Sequence, residues 1–176
     1  MQTLYSFVQF FNTLCLNHPN IETFTTGDIE DVDTAKTTLF PLCHLIINNT
    51  TIGTNPIMTY NCTLIVMDIV TDITENSSGS FNAITKNYKG ITNLLDVWNT
   101  SQSTLSDIVV YIMNNPTAEE YNIETDVILT PFQQRFDNML AGFGANLNIQ
   151  VPYNPNSCLF TLSDIQAAGG IESCNA

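Results

Sequence analysis

Positive charge is nearly missing from this chain. Lys36, Lys86, Lys89 and Arg135 stand against 17 acids, for a net charge of −13. Attraction to phosphates needs clustered Lys and Arg, so the composition argues against sequence-specific binding of nucleic acid. Charge of either sign is scarce, at 12% of residues against a usual figure of about 25%. Asn, Thr and Ser take its place, and they hydrogen-bond without strong fields. A surface of that kind suits permanent burial against neighbours, because an amide costs far less to desolvate than an ion. An AT-rich genome would also enrich Asn and Ile, and it accounts for the same composition. No apolar run approaches a membrane span. The N-terminus lacks a basic residue ahead of its apolar stretch and a small-residue cleavage site, so it does not read as a signal peptide. Cysteines at 15, 43, 62, 158 and 174 are odd in number and form no Cys-x-x-Cys, which points to reduced thiols in a cytosol. Asn-x-Ser/Thr at Asn48, Asn49, Asn61, Asn76 and Asn99 is expected by chance in so Asn- and Thr-rich a chain.

Signatures of chemistry are missing too. There is no His-Glu-x-x-His, Gly-x-Ser-x-Gly, Walker loop or dinucleotide fingerprint. His18 precedes a proline and His44 lies in an apolar run. Neither has a partner at a spacing that sequence can justify, so both read as structural. Acids at 28, 30, 31 and 33 lack the order of a calcium loop and read as a solvated acidic loop. Gly142-Phe-Gly144 is a lone Gly-x-Gly, expected at a turn or bulge that tolerates positive φ. The expectation is a protein that is not an enzyme, with no catalytic residue, no metal and no cofactor.

What is present reads as one domain. With 176 residues the chain can bury about 70% of its unfolded surface without metal or disulfide. Leu4, Phe7, Val8, Phe11, Leu14 and Cys15 form one stripe of a helix over 2–17, ended by His18-Pro19. A short strand is expected over 21–26, then an apolar strand over 39–47 and a turn-rich connection over 48–56. The strand over 58–70 alternates at first, with Tyr60, Cys62 and Leu64 against Thr59, Asn61 and Thr63. Beyond Leu64 both of its faces are apolar. At about 3.3 Å per residue it spans on the order of 40 Å, long enough for one end to project as an arm. Its second apolar face calls for a cover, either more of this chain or a partner subunit. Residues 71–90 read as a polar loop. Leu94, Leu95, Trp98, Leu105, Ile108, Val109, Ile112 and Met113 trace a second helix, and its polar middle suggests a kink or a late start near Ser103.

Residues 121–158 organise the rest. Tyr121, Ile123, Thr125, Val127 and Leu129 alternate with Asn122, Glu124 and Asp126. Ala145, Leu147, Ile149 and Val151 do the same against Asn146, Asn148 and Gln150. Between them Phe132, Phe136, Met139 and Leu140 fall at helical spacing, which predicts a hairpin whose connection carries a short helical or irregular segment. Arg135, the only arginine, lies in that segment between Phe132 and Phe136. It is expected to meet a carboxylate, in its own subunit or a neighbour, and Asp137 lies close in sequence.

The run Thr130-Pro-Phe-Gln-Gln-Arg-Phe-Asp-Asn-Met-Leu-Ala-Gly142, an alternating strand, and Pro152-Tyr-Asn-Pro-Asn-Ser-Cys158 resemble the C-terminal half of a phage structural family. These are the tail-terminator and neck-ring proteins of tailed bacteriophages, crAss-like phages among them. The likeness is dense over roughly a fifth of the chain and diffuse elsewhere. Phe143 stands where that family favours Trp. The resemblance implies a virion protein made in the host cytoplasm and assembled as a homo-oligomeric ring of six or twelve copies. It would sit in the neck or tail, beside neighbouring neck and tail proteins, with DNA passing through the lumen and no membrane involved.

The expected fold is therefore α+β, tail-terminator-like. It has an antiparallel or mixed sheet of four to six strands, with two main helices on one face. Residues 1–158 would be the ring-forming domain and 159–176 a C-terminal arm. Candidate subunit contacts are Phe132, Arg135, Phe136, Asp137 and Phe143 in the hairpin, with Ile65, Met67 and Ile69 in the long strand. The alternative is a small monomeric or dimeric acidic adaptor without catalytic activity. A third reading, an acid-pair hydrolase, would need two carboxylates sharing a pocket with raised pKa values.

Overall fold

The computed structural model describes residues 4–29, 32, 39–53, 57–70, 93–114, 121–123, 126–135 and 139–152. The expected loop over 71–90 and the arm over 159–176 lie outside them. Among the described residues the fold is α+β. Helix α1 spans Leu4–Leu16 and helix α2 spans Leu94–Asn114. Six strands make one mixed sheet: β1 Thr23–Thr26, β2 Leu42–Ile52, β3 Ile57–Ile69, β4 Asn122–Ile123, β5 Leu129–Arg135 and β6 Met139–Pro152. The order across the sheet is β1-β2-β3-β6-β4, and β5 pairs with β6 as well. Only the β1–β2 pairing is parallel. Both β4 and β5 lie on the edge of β6 away from β3, as two pieces of one interrupted edge.

The strands are long because β3 is matched on both sides. It pairs with β6 from Ile57↔Pro152 to Ile69↔Leu140, and with β2 from Leu42↔Met67 to Ile52↔Met58. Asn48 is the extra residue of a bulge between Ile47 and Asn49. The turn-rich reading of 48–56 is thus corrected at its start, since the strand continues to Ile52. Asn and Thr mimic turn composition here because this end of β2 faces water.

Period-two alternation sends one set of side chains to the helices. Cys43 and Leu45 of β2, Tyr60, Cys62, Leu64 and Val66 of β3, and Ala145, Leu147, Ile149 and Val151 of β6 are all buried there. They meet Phe7, Phe11 and Cys15 of α1 and Leu105, Ile108, Val109 and Ile112 of α2. Phe7 stacks on Tyr60 with ring centroids 4.1 Å apart, and Phe10 stacks on Tyr121 at the same distance. Such aromatic pairs add to the stabilisation from burial alone.

The opposite parity builds a second, smaller core. Leu42, Ile65, Met67 and Leu140 are buried with Val32, and Ile29, Phe40, Ile46, Ile69 and Phe132 pack against them. Part of the chain between β1 and β2 thus covers the second apolar face of β3. Of the two covers the sequence allowed there, the structure supplies the one from the same chain.

Helix α2 runs unbroken through the polar middle where a kink was expected. Ser101 and Thr104 are buried there, and Thr104 Oγ1 accepts a hydrogen bond from Asn20 Nδ2 at 3.3 Å. A small hydroxyl lets the helix lie close to its neighbour without leaving a polar atom unpaired. The other correction is the connection over 131–144. It is strand on both sides, from Leu129↔Ala145 to Arg135↔Met139. Apolar residues recur on both parities where both faces of a sheet are covered, and over a short window that imitates helical spacing. Gly142 has no positive φ; a Cβ there would meet Val66 O at 2.0 Å and Met67 Cα at 2.8 Å. Glycine is needed for close approach of β6 to β3. Positive φ belongs instead to Gly27, at 127°.

Candidate functional site

Four of the eight candidate contact residues come together on the outer face, the one away from the helices. Ile65 and Met67 are buried, with Ile69 and Phe132 packed beside them. Ile65 and Met67 therefore have little apolar area left to offer a neighbour. Phe143 points the other way and packs against the helix-side core. Arg135 lies in β5 opposite Met139, and residues 136–138 are outside the described ones, Phe136 and Asp137 among them. The hairpin is held to the helix layer by Trp98, whose Nε1 donates to the Phe132 carbonyl at 3.1 Å.

Beyond the covered half, the outer face turns polar and stays uncharged. Asn48 Nδ2 donates to Asn61 Oδ1 and to Thr63 Oγ1, both at 3.0 Å. Asn61 Nδ2 then donates to Asn148 Oδ1 at 2.7 Å, and the Thr63 hydroxyl donates to Asn146 Oδ1 at 2.8 Å. These bonds link β2, β3 and β6 into one ladder of amides and hydroxyls. Sequence reasoning saw each strand's alternation but not the ladder, because register alone decides which Asn meets which. Where the two halves meet, a cleft of about 330 Å³ is lined by Ile29, Thr63, Ile65, Thr130, Phe132, Gly144 and Asn146.

A larger cleft, about 470 Å³, lies between α1 and α2, with Phe10, Leu14, Pro19, Ile108 and Tyr111 among its walls. His18 stands in it with Nε2 3.6 Å from Asp107 Oδ2, so this histidine has an acidic neighbour that sequence spacing did not supply. Its Nδ1 accepts the Asn20 N–H at 3.2 Å, which leaves the proton on Nε2, toward Asp107. Among the described residues of the lining, the hydroxyls are those of Thr13 and Tyr111.

His44 is buried and satisfied. Its Nδ1 lies 2.7 Å from Thr25 Oγ1 and its Nε2 3.1 Å from the Gly27 carbonyl. The carbonyl can only accept, so Nε2 carries the proton and Nδ1 accepts from the threonine hydroxyl. Cys15, Cys43 and Cys62 are free and buried. The Cys15 and Cys43 sulfurs are 3.3 Å apart. Burial raises the Cys43 thiol well above its usual pKa, and the Cys15 contact adds to that; burial pushes Cys62 up to about 12. Both stay protonated and unreactive at neutral pH. Burial also raises Asp68, partly offset by the hydrogen bond from its neighbour's N–H, Ile69.

Among the described residues, no group of three or more His, Cys, Asp or Glu could hold a metal ion. No helix among them is long and apolar enough to cross a membrane. No protein-family model matches the chain, and no curated protein matches its sequence.

Proposed function

We propose that this chain is a non-enzymatic structural protein of a tailed-phage particle. It acts as a homo-oligomeric ring in the neck or tail, in the role of a tail terminator or head–tail connector, stacked on other rings around the DNA channel. The mechanism is geometric: subunits bury uncharged sheet surface against one another, and the acids elsewhere keep the lumen from gripping DNA. The likeness of residues 130–158 to the phage family motivates the phage setting.

The observation that carries the assembly reading is the distribution of charge. Residues 37–67 and 138–163 contain no Asp, Glu, Lys or Arg, although the chain carries 17 acids. All of β2 and β6, and β3 up to Met67, fall inside these runs. A sheet whose outer face only met water would have no reason to exclude charge from three central strands. The outer edges of β1, β4 and β5 also have no further strand partner among the described residues, and such edges invite pairing with another chain. Imaging of the assembled particle tests the reading. A ring of this chain in the neck or tail is expected; particles complete without it would overturn the proposal.

The alternative, a monomeric or dimeric acidic adaptor, draws on the cleft between α1 and α2, whose apolar walls and open Asp107 suit a small partner segment. A 1:1 complex at that cleft, with no self-association, would favour it.

A further inference from the structure

We propose that copies of this chain meet in pairs, through the ladder of Asn48, Asn61, Thr63, Asn146 and Asn148 on the outer sheet face. The inference rests on the homo-oligomer reading above and names the surface that reading leaves open.

Charge selects the occupant first. Two copies carrying −13 each repel one another wherever acids face acids, and a neutral face is where they approach at least cost. The ladder side of β2, β3 and β6 has no charged residue. Asp68, the one acid on these strands, shares the parity of Val66 and so belongs to the helix side.

Hydrogen-bond polarity selects it second. The ladder donates in one direction, from β2 through β3 to β6. That order leaves amide donors, Nδ2 of Asn146 and of Asn148, at the β6 end. It leaves an acceptor, Asn48 Oδ1, at the β2 end. Asn49, opposite Asn61 in register and exposed, adds both kinds at the β2 end. A second copy turned by a twofold axis lays its β2 end over the first copy's β6 end, so donors face acceptors at both ends. The surface is thus complementary to itself, as an isologous contact requires. The cleft beside Phe132 and Ile65 lies against the ladder and supplies apolar wall next to the polar patch. An isologous contact makes pairs and does not by itself close a ring, so the ladder would join two rings of this chain face to face, and the copy number it allows is even.

Sedimentation velocity of the full chain over a range of concentrations tests this, with thermal melts confirming that each variant folds. Asn49 and Asn146 are exposed, so single charges there leave the fold intact. Wild type is expected to form pairs or larger even assemblies. Asn49→Lys and Asn146→Asp each shift half-association to at least about tenfold higher concentration, because across the twofold axis the ammonium faces the amide donors of β6 and the carboxylate faces the acceptor Asn48 Oδ1. Gln102→Glu, a carboxylate on exposed helix surface, associates as wild type. The double variant Asn49→Lys/Asn146→Asp places opposite charges across the twofold axis and regains association. If wild type associates and Asn49→Lys and Asn146→Asp behave like Gln102→Glu, this surface is wrong and the homo-oligomer reading stands. If wild type is monomeric throughout, both fall. Failure of the double variant to recover overturns the twofold arrangement.

Discussion

The two faces of the sheet are written by alternate residues of the same strands, and they end differently. On the helix face, Tyr60, Cys62, Leu64 and Val66 of β3 are all buried, as are Ala145, Leu147, Ile149 and Val151 of β6. On the outer face β3 changes character along its length. Ile65 and Met67 are buried, while Asn61 and Thr63 join the ladder. One face is finished inside the chain. The other is finished over half its length and then presents neutral hydrogen-bonding groups. A face made only to be wet would gain solubility from Lys and Glu, and none stands on this side of β2, β3 and β6. Stability therefore resides on the helix face, and the polar half of the outer face is where contact with other copies is proposed.

The contrast can be broken most forcefully at the helix face. Phe7→Ala removes a buried ring stacked on Tyr60 and is expected to cost about 3–5 kcal/mol, read by chemical denaturation. A loss under about 1 kcal/mol would mean that this face is not the main core. Gly142→Ala comes next. Its Cβ meets backbone that no rotamer change can move, so a loss of about 3 kcal/mol is expected. Gly144→Ala, where the nearest atom lies at 3.7 Å, is expected to stay within about 1 kcal/mol of wild type. On the polar half, Asn61→Ala is expected to cost only about 1 kcal/mol, since water replaces the lost partners at a half-exposed site.

The smallest effect belongs to Asp68. Its folded pKa lies above the unfolded one, so the folded state holds the proton more tightly. Stability from this group is greatest below the unfolded pKa and declines as pH rises through the folded pKa. Asp68→Asn is expected to remove that decline, and denaturation midpoints across the acidic range would detect it. An unchanged pH profile would refute the assignment.

Much of the architecture was legible because alternation reports burial directly. Residues 145–151 named the helix face of β6, and Phe7, Phe11 and Cys15 named the inner stripe of α1. The same rule failed where both faces are covered. Phe132 and Leu140 pack on the outer core while Phe143 packs on the helix side, so the run lost its period and read as helix. Asn48 to Ile52 read as turn because strand residues facing water share turn composition. The ladder was beyond reach for another reason: Asn61 and Asn148 are 87 positions apart, and no local pattern encodes a pairing at that range. His18 and Asp107 illustrate the same limit.

Self-association of this chain is the property on which the ring and the paired contact both depend. Static light scattering of the purified wild-type protein, followed across a wide concentration range, measures that directly. The predicted result is a mass that rises to an even multiple of the single chain. A mass that stays at one chain up to the highest soluble concentration would contradict it.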